Sequence, residues 1–215
     1  MVDKDTLKEV VKVISQNALE RHLMGRKFDK DKVKKWGDLI IEEINENLPP
    51  DFSEYEYIIF FYMSEITSYV STHRLIYYTN TDVAIYVYYH PGDFYAEIRI
   101  FATKKRKPMA SFLDFAKDKE FFLSVNKKIS DMLEGRTYDF NSFSNLLGNI
   151  ADDINNIIEK KNNKPCSFTV GYINKRPTRG LYFYYKFFNL ELYPLFFNYK
   201  NKTFECRIYI FLINN

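Results

Sequence analysis

Leu7, Val10, Val11, Ile14, Ala18 and Leu19 recur on one face of a 3.6-residue period, which predicts an amphipathic helix of about 17 residues ending near Gly25. A second stripe, Val33, Trp36, Ile40, Ile44 and Leu48, predicts another helix, with Asp29 and Asp31 as candidate caps and Pro49-Pro50 as its stop. The period then changes. Tyr57 to Met63 is an almost unbroken run of β-branched and aromatic residues, the pattern of a strand covered on both faces. Further strands are predicted at His73 to Thr79, Val83 to Tyr89 and Phe94 to Ala102, separated by the turn formers Thr79-Asn80-Thr81-Asp82 and His90-Pro91-Gly92-Asp93. The order is ααββββ.

The same order returns. Phe112, Phe115, Phe122, Ile129, Met132 and Leu133 suggest a third helix, and Phe143, Leu146, Leu147, Ile150, Ile154 and Ile158 a fourth. Lys160, Lys161 and Lys164 close the latter before Pro165, where positive charge suits a helix C-terminus. Four strands follow at 166–174, 181–188, 192–199 and 203–212. A constant offset of 110 underlies this: Gly25-Arg26-Lys27-Phe28-Asp29 falls on Gly135-Arg136-Thr137-Tyr138-Asp139, Glu42-Glu43-Ile44-Asn45 on Asp152-Asp153-Ile154-Asn155, and Phe94, Ile98, Ile100 and Phe101 on Phe204, Ile208, Ile210 and Phe211. The expectation is an α+β protein of two domains, 1–103 and 111–215, joined by a basic linker at 104–110 containing Lys104, Lys105, Arg106 and Lys107. Two small domains sharing one core bury more than two separate ones, so the copies are expected to pack together.

Composition narrows the function classes. Net charge is +3, from 31 basic and 28 acidic residues, too balanced to indicate a nucleic-acid or membrane partner. The 20 Phe and 18 Tyr concentrate in the predicted strands. Cys166 and Cys206 lack a neighbouring Cys or His at metal-ligand spacing, which argues against a disulfide framework or zinc site and for a reducing compartment. Met1-Val2-Asp3-Lys4-Asp5 lacks the basic and apolar regions of a signal peptide, and the expected location is the cytosol.

Two helices followed by a four-stranded meander, with Lys32-Val33-Lys34-Lys35-Trp36 entering the second helix, resemble the Tctex-type dynein light chains. In the second half Lys164-Pro165-Cys166-Ser167-Phe168-Thr169-Val170 resembles that family's first strand, and Asn201-Lys202-Thr203-Phe204-Glu205-Cys206 its last hairpin. The first copy has Pro91-Gly92-Asp93 in place of Asn-Lys-Thr and lacks the lysine-proline entry, so whatever those residues do is expected to be lost there. The resemblance implies a non-catalytic protein whose antiparallel sheets pack face to face with helices outside, here as a pseudo-twofold dimer within one chain. Whether the second strands exchange between halves stays open. It also implies that an extended segment of a dynein intermediate chain, or of another dynein or axonemal subunit, adds as a strand at a sheet edge. The implied edges are Thr72, Arg74, Ile76 and Tyr78 in one copy and Leu181, Phe183, Tyr185 and Phe187 in the other. The implied location is the cytoplasm and cytoskeleton, including the ciliary axoneme. The alternatives are a ciliary or cytoskeletal scaffold outside dynein, or a nucleic-acid-binding module using the aromatic strands.

No arrangement for catalysis, metal or cofactor emerges. His22, His73 and His90 are placed on a helix end, a strand and a turn, with no spacing that assembles a nucleophile, base and orienting acid. Glu42-Glu43 and Asp152-Asp153 point about 100° apart on their helices and read as a solvated face. No GxxxxGK[ST] or GxGxxG stretch occurs.

Overall fold

The computed structural model describes residues 3–65, 83–104, 117–137, 139–161, 166–175, 182–188 and 195–213, with 166–175 and 182–188 described by backbone alone. The elements are α1 (Lys4–Leu23), α2 (Val33–Asn47), a 3-10 turn (Pro50–Phe52), β1 (Tyr55–Glu65), β2 (Val83–Tyr89), β3 (Phe94–Lys104), α3 (Lys119–Leu133), α4 (Phe140–Lys161), β4 (Cys166–Lys175), β5 (Tyr182–Phe188), β6 (Leu195–Lys200) and β7 (Phe204–Ile213). The fold is α+β with antiparallel sheets. The chain divides into two compact units.

In the first unit the strand order is β2-β3-β1-β5, every neighbour antiparallel. Helix α1 packs on α2 and β2, and α2 on β1 and β5. Alternation along the strands sorts the side chains: Tyr55, Tyr57, Ile59, Phe61 and Met63 of β1 and Phe94, Ala96, Ile98, Ile100 and Ala102 of β3 join Leu7, Val11, Leu19, Trp36, Ile40 and Ile44 of the helices in one core. The intervening residues Glu56, Ile58, Phe60, Tyr62 and Ser64 lie outside that cluster yet are buried as well, so β1 is covered on both faces, as its unbroken apolar run predicts. Deep burial of each large side chain contributes about 1.5–3 kcal/mol.

The second unit has the strand order β4-β7-β6, with α4 on β4 and α3 on β6. Phe121, Val125, Ile129, Phe143, Ile150 and Ile154 meet Phe197, Phe204, Ile208 and Ile210 in its core. The Phe143 and Phe204 rings meet edge to face, 4.8 Å between centroids.

Local details refine the expected elements. Asp3 caps α1 by accepting from the Thr6 N–H, and Asp118 caps α3 through Phe121 N–H. Asp29 and Asp31 do not cap α2. Its N-cap is Lys32, in helical conformation without a side-chain cap; Asp29 instead accepts from Asp31 N–H and pairs with Lys32, closing a turn one step upstream. The acidic pairs are also more than a solvated face. Glu43 is mostly buried, holding Arg21 and His22 of α1, each at 2.8 Å, and Asp153 holds Lys128 of α3 at 3.2 Å, so one acid of each pair ties its helix to the preceding one. Phe112 and Phe115, and the strand expected at 73–79, lie outside the described residues. Lys104, placed at the start of the linker, ends β3 and reaches Glu54 at 3.5 Å.

Candidate partner-binding edge

β5 lies in the second half of the sequence, yet it completes the first unit's sheet. It pairs with β1 over seven positions, from Tyr57 opposite Phe188 to Met63 opposite Tyr182. Of the residues expected at the edge, Phe183 stands opposite Tyr62, Tyr185 opposite Phe60 and Phe187 opposite Ile58. Directly opposed residues on antiparallel strands share a face, so these register positions belong with Ile58, Phe60 and Tyr62, away from the helix-packed core. Leu181 falls outside the described residues, as do Thr72, Arg74, Ile76 and Tyr78. Among the described strands β5 has a neighbour on one side only, β1. An edge strand offers backbone N–H and C=O groups along its open side, the feature that strand addition uses.

In the same sheet, on β3 and separated from this edge by β1, lies a buried charged cluster that spacing alone does not flag. Arg99 of β3 donates from Nε and Nη2 to both oxygens of Glu97, the Nη2–Oε2 distance being 2.6 Å. Its guanidinium lies 4.5 Å from the centroid of Tyr62 and 6.0 Å from that of Tyr86. Phe60 stacks on Tyr62 and meets Phe101 edge to face. Glu97 stands opposite Tyr62, and Arg99 opposite Phe60, so the strand carrying the cluster lies between β2 and the strand that pairs with β5. A signal for it existed in the sequence: Glu97-Ile98-Arg99-Ile100 and Glu205-Cys206-Arg207-Ile208 are one Glu-x-Arg-Ile pattern in two places, at an offset of 108, not 110.

The α1–α2 loop is tied to the β2–β3 hairpin, since Asp93 accepts from Phe28 N–H at 3.2 Å. In the second unit Asn201 makes the corresponding tie, donating from Nδ2 to the Arg136 carbonyl at 3.2 Å. Its Oδ1 also accepts from Thr203 and Phe204 N–H, which explains the Asn-Lys-Thr turn. Replacement of that turn by Pro91-Gly92-Asp93 therefore does not abolish the anchoring; Asp93 performs it with a carboxylate.

The Tctex-1 family model matches residues 5–103. This part of the chain is a Tctex-1 family domain. No curated protein matches the sequence. Membership of the matched part supports a non-catalytic role of the dynein light-chain type. In the Tctex-1 domain His22 is engaged with Glu43, and His90 sits beside Tyr95; His73 is outside the described residues. Among the described residues no three His, Cys, Asp or Glu side chains converge as a metal site, and no helix is long and apolar enough to cross a membrane. Cys206 is a buried thiol whose pKa is pushed up by burial, first, and by Glu205.

Proposed function

We propose that the chain is a non-catalytic light-chain or adaptor subunit of a dynein motor, taking up an extended segment of an intermediate chain as an added strand along β5. The carrying observation is the position of β5 at the end of the described strand order in the sheet of the Tctex-1 domain. Backbone pairing supplies affinity in this mode, and the alternate residues Phe183, Tyr185 and Phe187 set which segment fits. Hydrogen exchange on the full chain, with and without an intermediate-chain peptide, tests it. Slowed exchange of 182–188 amides and loss of binding in Tyr185→Pro are expected; protection elsewhere with β5 unchanged sinks the edge assignment. Affinity purification from the native cell that recovers cytoskeletal proteins but no dynein subunit sinks the motor assignment.

The second half is, in this reading, a second Tctex-type domain, and the chain an internal pair. What supports this is local correspondence at the repeat offset. Gly25 and Gly135 both take left-handed φ, 69° and 71°, after their helices, and Arg26 and Arg136 each donate Nε to the carbonyl four residues back. A solution mass near 25.8 kDa is expected. A stable dimer would mean exchange between chains.

A further inference from the structure

The loop between α1 and α2 walls a cleft of about 600 Å³, with Trp36 and Glu65 completing its lining. That volume lies within the range, about 300–1,000 Å³, of pockets that accept a ligand. The loop is held by its own bonds: Arg26 donates to the His22 carbonyl and stacks 5.7 Å from the Trp36 ring centre, and Asp29 pairs with Lys32. Lys27 and Lys30 line the cleft, exposed, and neither has an ion pair among the described residues. Beyond them α2 begins without a side-chain cap or an acidic residue in its first turn, where Lys34 and Lys35 are exposed.

The charge is specific to this loop. Residues 26–36 hold six Lys or Arg against two Asp, whereas 136–146 hold one Arg and one Asp. Yet the second loop makes the same left-handed glycine turn and the same arginine-to-carbonyl bond. The backbone geometry therefore does not need the lysines, and Lys27 and Lys30 stay exposed beside an uncapped helix start that favours an approaching anion.

We propose that this cleft docks an acidic segment of a partner protein, separately from the β5 edge. Side-chain carboxylates of the segment pair with Lys27 and Lys30, and the exposed Arg26 guanidinium, held over the buried Trp36 ring, offers a third cation beside them. Asp29, Asp31 and Glu65 in the same lining favour a peptide over nucleic acid. A phosphate backbone would bring closely spaced charges against these carboxylates, while a peptide places its acids selectively.

Trp36 is the chain's single tryptophan, so its emission reports occupancy of this cleft directly. The full chain is titrated with a short synthetic peptide of interspersed Glu, Leu and Gly, with its Lys counterpart, and with oligothymidylate. The acidic peptide is expected to shift the emission saturably, and Lys27→Glu/Lys30→Glu to weaken it about tenfold or more. Lys119→Glu/Lys127→Glu on the exposed face of α3 should leave it unchanged, and the neutral Lys27→Gln/Lys30→Gln should fall between, guarding against a misfolded reversal variant. No emission change, equal binding by the reversal variant, or tighter binding of the oligonucleotide than of the peptide overturns the proposal, the last in favour of a nucleic-acid surface.

Discussion

β3 and β7 each present a Glu-x-Arg pair on the face turned from their helices, and the two pairs live in different electrostatic worlds. Glu97 and Arg99 have side chains 0 % and 2 % exposed, joined by two bonds under the rings of Tyr62 and Tyr86. Glu205 and Arg207 are 15 % and 41 % exposed and share a bond of 2.9 Å. The residues are the same; the solvent is not. A surface pair contributes little because water already screens both charges, whereas a buried pair has surrendered hydration and depends on its partner, its hydrogen bonds and the aromatic faces around it. One sequence pattern thus marks a minor surface contact in one unit and a point of high sensitivity in the other.

The largest effect should come from removing one buried partner. Arg99→Met leaves the Glu97 carboxylate buried without its cation and is expected to cost about 3–5 kcal/mol, against under about 1 kcal/mol for Arg207→Met, whose site is solvated. Urea unfolding of both variants, compared by midpoint and slope, makes the contrast; equal losses would dissolve it. The double change Glu97→Leu/Arg99→Met should recover most of the loss, because no unpaired charge then remains. If it stays as unstable as Arg99→Met, packing rather than charge explains the sensitivity.

A second contrast concerns the hairpin ties. Asn201→Ala removes an acceptor for two backbone N–H groups and a donor to the Arg136 carbonyl, and should cost about 1–2 kcal/mol. Asp93→Ala removes one exposed contact to Phe28 and should cost less. Thermal unfolding ranks them, and the reverse order would mean that the Pro91-Gly92-Asp93 turn carries more than its one visible bond.

The smallest effect distinguishes the helix caps by pH. The carboxyl of Asp118 is lowered from the ordinary 3.8 by its bond to Lys161 and then by Phe121 N–H, and that of Asp3 by Thr6 and Asp5 N–H. A folded value below the unfolded one gives stability that is present above the ordinary value and lost as pH falls through the lowered one. Asp118→Asn should therefore flatten the acid limb of the stability curve below about pH 4, and do so more than Asp3→Asn, whose cap lacks the lysine. Unfolding midpoints across pH 2–5 measure this, and identical limbs would remove Lys161 from the account.

Much of this architecture was legible because each signal was local. Helices α1, α2 and α4 follow from apolar spacing that their buried residues reproduce, and the unbroken run in β1 announces a strand without a wet face. The ends were less legible. Asp29 and Asp31 carry the composition of a helix cap, but the chain uses Asp29 one turn earlier, because a carboxylate near several N–H groups is claimed by whichever the backbone brings closest. Glu43 reads as solvated until α1 places Arg21 and His22 against it. Glu97 and Arg99, two apart on a strand, look like a wet face, and the aromatic neighbours that dry it come from other strands.

The sequence by itself determined the α+β class, the helical stripes of α1, α2 and α4, the two-sided burial of β1 and the internal likeness between halves, since these rest on periodicity and on residues close along the chain. Only the tertiary structure decided that β5 joins β1, with Phe183, Tyr185 and Phe187 opposite Phe183's partner Tyr62, then Phe60 and Ile58. The apolar run at 181–188 fits either arrangement of that strand, so hydrophobic pattern could not choose between them; register and pairing partner are properties of strands far apart in sequence. The burial that separates Arg99 from Arg207 was decided the same way, because hydration is lost to neighbours that the local sequence does not contain.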